Sequence, residues 1–143
     1  MPKSTATCNK FLALVFNATT WANIADNAAA SPLANLFVSL HTADPGIGNA
    51  QTTNEVAYTN YVRIPVVRTV VGWTVATNTA VNAALAQLAQ CGVTGATATH
   101  VAIGTAVSGA GNVLYAGALS SSLAIAQNIQ PQFAASALTV TET

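Results

Sequence analysis

Charge is the scarcest commodity in this chain. Four Lys+Arg and four Asp+Glu are spread over 143 residues, 6% of the sequence, and they cancel to a formal net charge of zero. An average domain carries about 25%. Four scattered cations cannot neutralise a useful number of phosphates, so binding to a nucleic-acid backbone is not expected. The same scarcity excludes a polybasic membrane patch. From Thr69 to Thr141 there is no formally charged side chain apart from His100, which is mostly neutral at pH 7. That stretch is no membrane span either, because Gly, Asn, Gln, Thr and Pro interrupt it well before about 18 apolar residues accumulate. Cys8 and Cys91 are too few for a disulfide framework and read as buried, reduced thiols. No h-region of a secretory signal is visible around Lys3 and Lys10.

What fills the chain instead is neutral. About thirty alanines and about forty-five Ser, Thr, Asn and Gln exceed ordinary usage. Mean hydropathy is +0.47, the reverse of the low-hydropathy, high-charge signature of disorder, so the chain is expected to fold. A neutral surface also lacks the self-repulsion that keeps copies apart. It suits a protein packed against others.

The length fits one domain, residues 1–143. A helical N-terminal arm is expected over 1–33 and a β-sandwich over 34–143. Phe11, Leu14, Val15 and Ala18 fall at i, i+3, i+4 and i+7, which predicts an amphipathic helix over about 7–19, capped by Thr5 or Thr7. An alanine-rich stretch leads to Pro32, which stops any helix. Leu36, Val38 and Leu40 then alternate along a strand that ends at His41-Thr42. Asp44-Pro45-Gly46 follows as a turn, with Asp bonding its own backbone and Gly accepting positive φ. A polar loop is expected over about 47–60. Tyr61 to Val70 reads as a strand, with Pro65 marking an edge or bulge.

Short apolar runs near 73–75, 81–88, 99–103, 112–119, 122–126 and 132–141 are separated by turn chemistry. About eight strands with turns every 8–14 residues are the signature of an antiparallel two-sheet sandwich. The fold class predicted is mainly β, a jelly-roll sandwich with one N-terminal α-helix.

Candidate chemistry is thin. His41 and Asp44 are the one close histidine–carboxylate pair, but the turn already explains Asp44, and further ligands are scarce. No Gly-x-Ser-x-Gly elbow appears. Neither cysteine has a neighbouring cation to lower its pKa. Gly104 to Gly111 is glycine-rich without forming a phosphate loop, and reads as a hairpin. A glycan hydrolase would need paired acids, for which Asp44 and Glu55 are the available candidates. The sequence therefore predicts no enzyme, no cofactor and no metal. Arg63 and Arg68, five apart in one predicted strand, point to opposite faces and read as solvated residues or interface anchors. One of them is placed to pair with Glu55 or Asp44. Tyr58, Tyr61 and the tryptophans read as packing residues.

Several segments taken in order carry a resemblance: Asn9-Lys10-Phe11-Leu12, Leu36 to Gly46, Glu55 to Arg63, Gly72-Trp73, Thr99 to Ala106, Leu114 to Leu119 and Pro131 to Glu142. They are similar to small structural proteins of tailed bacteriophages, whose members often carry tail-fibre labels. With the size, neutrality and sandwich pattern, the chain most resembles the jelly-roll cement (decoration) proteins of phage heads. That resemblance implies a virion protein on the capsid exterior, present in the host bacterial cytoplasm during assembly. Its implied partners are the major capsid protein and a second copy in a homodimer, with no nucleic acid and no membrane. A tail or fibre component binding a host receptor is the alternative. The expected interface residues are Asp44, Pro45, Gly46, Glu55, Tyr58, Tyr61, Arg63 and Arg68, on and beside the 44–60 loop, where ordered loops of sandwiches carry function.

Overall fold

The computed structural model describes residues 3–21, 32–46 and 50–143. The expected alanine-rich stretch before Pro32 and the start of the 47–60 loop lie outside them. One helix, α1 (Thr5–Asn17), is followed by nine strands: β1 (Asn35–His41), β2 (Ile64–Val67), β3 (Trp73–Ala76), β4 (Thr79–Asn82), β5 (Ala86–Gln87), β6 (Ala96–Gly104), β7 (Val113–Ile125), β8 (Gln132–Phe133) and β9 (Thr139–Thr141). The strands are ordered β2-β1-β6-β7, β3-β4-β9 and β5-β8 in sheets of four, three and two. The pairs β1–β6, β6–β7, β3–β4 and β4–β9 are antiparallel. The class is the one the sequence predicts: mainly β, antiparallel and sandwich-like, with a single N-terminal helix among the described residues.

Two compact units are built from interleaved segments. The first takes Met1–Asn35, Val66–Ala86 and Phe133–Thr143; the second takes Leu36–Pro65 and Gln87–Gln132. In the first, α1 lies against β3 and β4. Ser4 caps the helix, its Oγ accepting from Thr7 N at 3.2 Å, so the cap falls one residue before the expected Thr5. The buried stripe is Cys8, Leu12 and Phe16, not the predicted Phe11, Leu14 and Val15. Both stripes are apolar at helical spacing, and periodicity alone cannot choose between neighbouring faces. Packing chooses: Phe16 meets the fully buried Trp73 edge-on, ring centroids 4.7 Å apart. Phe11 stays 39% exposed.

Arg68 closes the other end of α1. Its Nε and Nη2 donate to the carbonyls of Val15 (2.7 Å) and Leu14 (2.9 Å), and Nη1 to Leu33 O at 2.9 Å. Terminal helix carbonyls lack intrahelical partners and carry the negative end of the dipole, so a guanidinium is well matched there. Burial lowers the Arg68 pKa from its ordinary value.

The predicted 61–70 strand shrinks to β2. A turn closed by Tyr61 N donating to Tyr58 O (2.9 Å), with Asn60 at φ 76°, keeps Tyr61 to Arg63 out of it. At the far end Thr69 N donates to Val67 O and Gly72 N to Thr69 O, both at 2.9 Å. Arg63 and Arg68 therefore flank the strand instead of sharing it, and the opposite-faces expectation is corrected. The predicted strands near 112–119 and 122–126 are likewise one strand, β7. Ala98 pairs with Leu123 and His100 with Ala118, which leaves Thr99 opposite Leu119 to Ser122 in a bulge.

The second unit's core includes Leu36, Val38, Leu40, Val56, Tyr58, Leu88, Ala102, Ile103 and Ile125. Leu36, Val38 and Leu40 alternate inward as expected, but Ser39 and His41 on the other face are also fully buried. β1 lies between β2 and β6, and residues 53–56 run beside its end, with Thr53 O against the His41 ring. Thr42 N donates to Asn54 O at 2.7 Å, and His41 bridges Glu55.

Candidate functional site: an ionic clamp beneath the 44–60 loop

The loop expected to carry function is fastened from below. The Asp44 turn forms as its residues dictate: Asp44 Oδ1 accepts from Gly46 N at 2.8 Å, and Gly46 takes φ 76°. Asn54 Nδ2 donates to Asp44 O at 2.9 Å, tying the turn to the end of the loop. Glu55 and Arg63 then form a two-point pair, Nε to Oε1 at 2.6 Å and Nη2 to Oε2 at 2.7 Å. Arg63 Nη1 donates to Ala106 O and Nη2 to Gly109 O, both at 2.8 Å. Tyr61 Oη donates to Glu55 Oε1 at 2.8 Å and accepts from Leu40 N at 3.2 Å. The side chain of Arg63 is 3% exposed and that of Glu55 14%. Strand β1, the loop and the β6–β7 hairpin are thus joined by one charge-assisted network.

Arg63, Tyr61 and Tyr58 register that setting. Hydrogen bonding to Glu55 raises the Arg63 pKa against the opposing effect of burial. Burial, then the Glu55 charge, pushes the Tyr61 hydroxyl far up. Tyr58, 3% exposed and donating to Ala89 O at 2.9 Å, is pushed up to about 12 by burial and then by Cys91. Its ring meets Tyr61 edge-on at 5.2 Å.

A second fastening is Gln51, fully buried. Its Oε1 accepts from Ala106 N at 2.9 Å and its main-chain N donates to Ala110 O at 2.6 Å. The amide fills the space over Gly104, where any Cβ would overlap it. The sequence signal for this glycine was read as part of a hairpin loop. The hairpin is there, closed by Thr105 N to Asn112 O at 3.1 Å, but Gly104 itself ends β6.

Ser39 Oγ and His41 Nε2 lie 2.9 Å apart, and His41 Nδ1 lies 2.8 Å from Thr53 O. The carbonyl fixes Nδ1 as the donor, so Nε2 accepts from the serine. The pair has the outline of a nucleophile and base, but both side chains are fully buried and the group behind the imidazole is a neutral carbonyl, not the carboxylate of a triad. Glu55 is held in place with one oxygen shared by Arg63 and Tyr61 and the other on Arg63. Among the described residues no group of three or more His, Cys, Asp or Glu could hold a metal, and no helix is long and apolar enough to cross a membrane.

Burial, led by desolvation, holds the His41 imidazole below its ordinary 6.5. Between that lowered value and 6.5 the unfolded chain binds more protons than the folded one, so stability declines as pH falls through 6.5. The unfolding midpoint in urea is expected to drop between about pH 7.5 and about pH 5. His41→Asn, whose Nδ2 can replace the Nδ1 donor, should flatten that slope, and an unchanged slope would refute the assignment.

Of the eight expected interface residues, Asp44 is exposed, Gly46, Glu55, Tyr61 and Arg68 are partly buried, and Pro45, Tyr58 and Arg63 are buried. Glu55, Tyr58, Tyr61 and Arg63 come together under the loop, whereas Arg68 is spent at the helix end in the other unit. The reading of both arginines as solvated strand residues is corrected: carbonyls and a carboxylate have taken them up. Sequence reasoning missed Gln51, Ser39 and the depth of His41.

A family model described as podophage GP4 fiber I protein gp80 matches residues 2–141. The chain belongs to that gp80 family. It is accordingly a bacteriophage structural protein and a virion component, and a family of fibre proteins fits the fibre alternative better than capsid decoration. No curated protein matches it.

Proposed function

We propose that this protein is a non-catalytic component of the phage tail fibre, presenting the neutral surface around its clamped loop to other proteins or to the host cell. The observation that carries the reading is where the few charges go. Arg63 and Glu55 are paired with each other, Arg68 is spent on helix carbonyls and Lys3 pairs with Glu142. Among the described residues, the groups left to face solvent are neutral amides, hydroxyls and apolar side chains, Val70, Val71, Leu85 and Val93 among the larger ones, with Lys3, Lys10 and Asp44 as exposed charges. Such a surface docks repeatedly without long-range repulsion between copies. The family's description as a fibre protein supports a tail location over the head shell.

Immunogold labelling of purified virions tests the location. Label confined to the tail is the expected result. Gold spread over the whole head, with hundreds of copies per particle by gel densitometry, would replace the fibre reading with capsid decoration.

A further inference from the structure

The chain has two histidines, and strands β1 and β6 set them directly opposite each other, His41 against His100. Such partners project from the same face of an antiparallel ladder, with Cβ atoms about 4.5–5.5 Å apart. His41 is fully buried and His100 partly so. Thr99 Oγ1 donates to Thr42 O at 2.8 Å, so it accepts the Nδ1 proton of His100, also at 2.8 Å. Both rings thus carry their proton on Nδ1 and would take a second on Nε2. Histidine is the side chain that gains this charge between about pH 8 and about pH 5. The surroundings do not offset two such charges. Glu55 bridges His41 from the loop, but its oxygens are engaged by Arg63 and Tyr61, and Arg63 cancels its charge. On β7 Ala118 lies opposite His100, while Tyr115 pairs with Ile103 on the alternate face. Asp44, the other described acid of this unit, is exposed and bonded within its own turn.

We propose that His41 and His100 form an acid-sensitive latch on the 44–60 loop, whose joint protonation releases Thr53 and Asn54 from the end of β1. The route follows from the hydrogen bonds. With both rings charged, like charges meet across one ladder, which is unfavourable. The buried His41 sheds that repulsion by turning out to water, and doing so breaks its Nδ1 bond to Thr53 O at 2.8 Å. Burial is the largest influence on the His41 charge and opposes it. The Thr53 carbonyl and Glu55 favour the charge, Arg63 and His100 oppose it, and the balance falls against it. Asn54 leaves with Thr53. Its carbonyl accepts from Thr42 N at 2.7 Å and Thr42 Oγ1 at 3.1 Å, and its Nδ2 ties Asp44 O. The Asp44 turn is therefore the far end of what the latch controls. The flanking fastenings involve no imidazole: Gln51 holds Ala106 N through its amide, and Glu55 holds Arg63. The latch is a property of the isolated chain and does not rest on the fibre reading.

Native-state hydrogen exchange of the full chain, followed by NMR between about pH 7.5 and about pH 5, tests it. Protection factors divide out the intrinsic pH dependence of exchange. Protection at the Thr42 amide should fall roughly tenfold or more across this range, while that at the Ala106 amide changes less than about threefold. His100→Asn, whose Nδ2 can replace the Nδ1 donor to Thr99, changes a partly exposed position. It should keep Thr42 protection within about threefold of its neutral value. A latch worked by His41 alone would lose protection in His100→Asn as in the parent, which separates the pair from the stability slope already assigned to His41. His41→Asn should abolish the response as well. Constant protection of Thr42 in the parent, an equal fall at Thr42 and Ala106, or an undiminished fall in His100→Asn would each overturn the proposal.

Discussion

Glu55→Ala is expected to lower the unfolding free energy by about 3–5 kcal/mol, the cost of leaving a buried charge uncompensated. The guanidinium it abandons has a side chain 3% exposed and would retain only the carbonyls of Ala106 and Gly109. Tyr61 loses its acceptor in the same step. Arg63→Met in the parent strands the opposite charge, but Glu55 is more exposed and can recruit water, so its cost should be smaller. The double variant Glu55→Ala/Arg63→Met removes both ions and should recover part of the single-variant loss, because an ion pair replaced by apolar groups is often close to neutral. Urea denaturation of the four proteins gives the coupling directly. If Glu55→Ala unfolds within about 1 kcal/mol of the parent, the pair behaves like a surface salt bridge and the clamp account fails.

Trp73→Ala should cost a comparable 3–5 kcal/mol, as expected for emptying a fully buried aromatic site. The ring is 0% exposed and holds β3 to α1 through Phe16. Its Nε1 is buried without a hydrogen-bond partner, which is itself unfavourable. Trp73→Phe therefore separates two effects. It shrinks the ring but also removes an unsatisfied donor, so its loss should be less than half that of Trp73→Ala. Thermal and urea unfolding of both variants check this. A Trp73→Phe protein as unstable as Trp73→Ala would mean that the indole nitrogen is satisfied after all.

Local chemistry was the legible part of this molecule. Asp44-Pro45-Gly46 dictates its turn whatever surrounds it, the alternation at Leu36, Val38 and Leu40 survives in β1, and the glycine-rich 108–111 stretch makes its hairpin. Side chains whose fate depends on distant segments were not legible. Arg63 finds carbonyls more than forty residues away and Arg68 finds the end of a helix more than fifty residues earlier. Neither spacing leaves a local pattern. The buried face of α1 was misread because two adjacent stripes are equally apolar, and β3 and β4 decide between them. The full burial of Ser39 and His41 leaves no local signal, because the groups that meet them, Ala102 O and Thr53 O, come from further along the chain. The Glu55–Arg63 pairing was one of several the scarcity of charge allowed, and scarcity made it guessable.

The interleaving of segments has a consequence for synthesis. β9 (Thr139–Thr141) pairs with β4, and Lys3 meets Glu142, so the first unit stays open until residues 139–142 have cleared the ribosome. Until then Phe16 and Trp73 lack their full shelter. Maturation of this unit therefore waits for that segment, its pace set by the slow closure of non-local contacts, and the nascent polypeptide is exposed to aggregation and proteolysis until then.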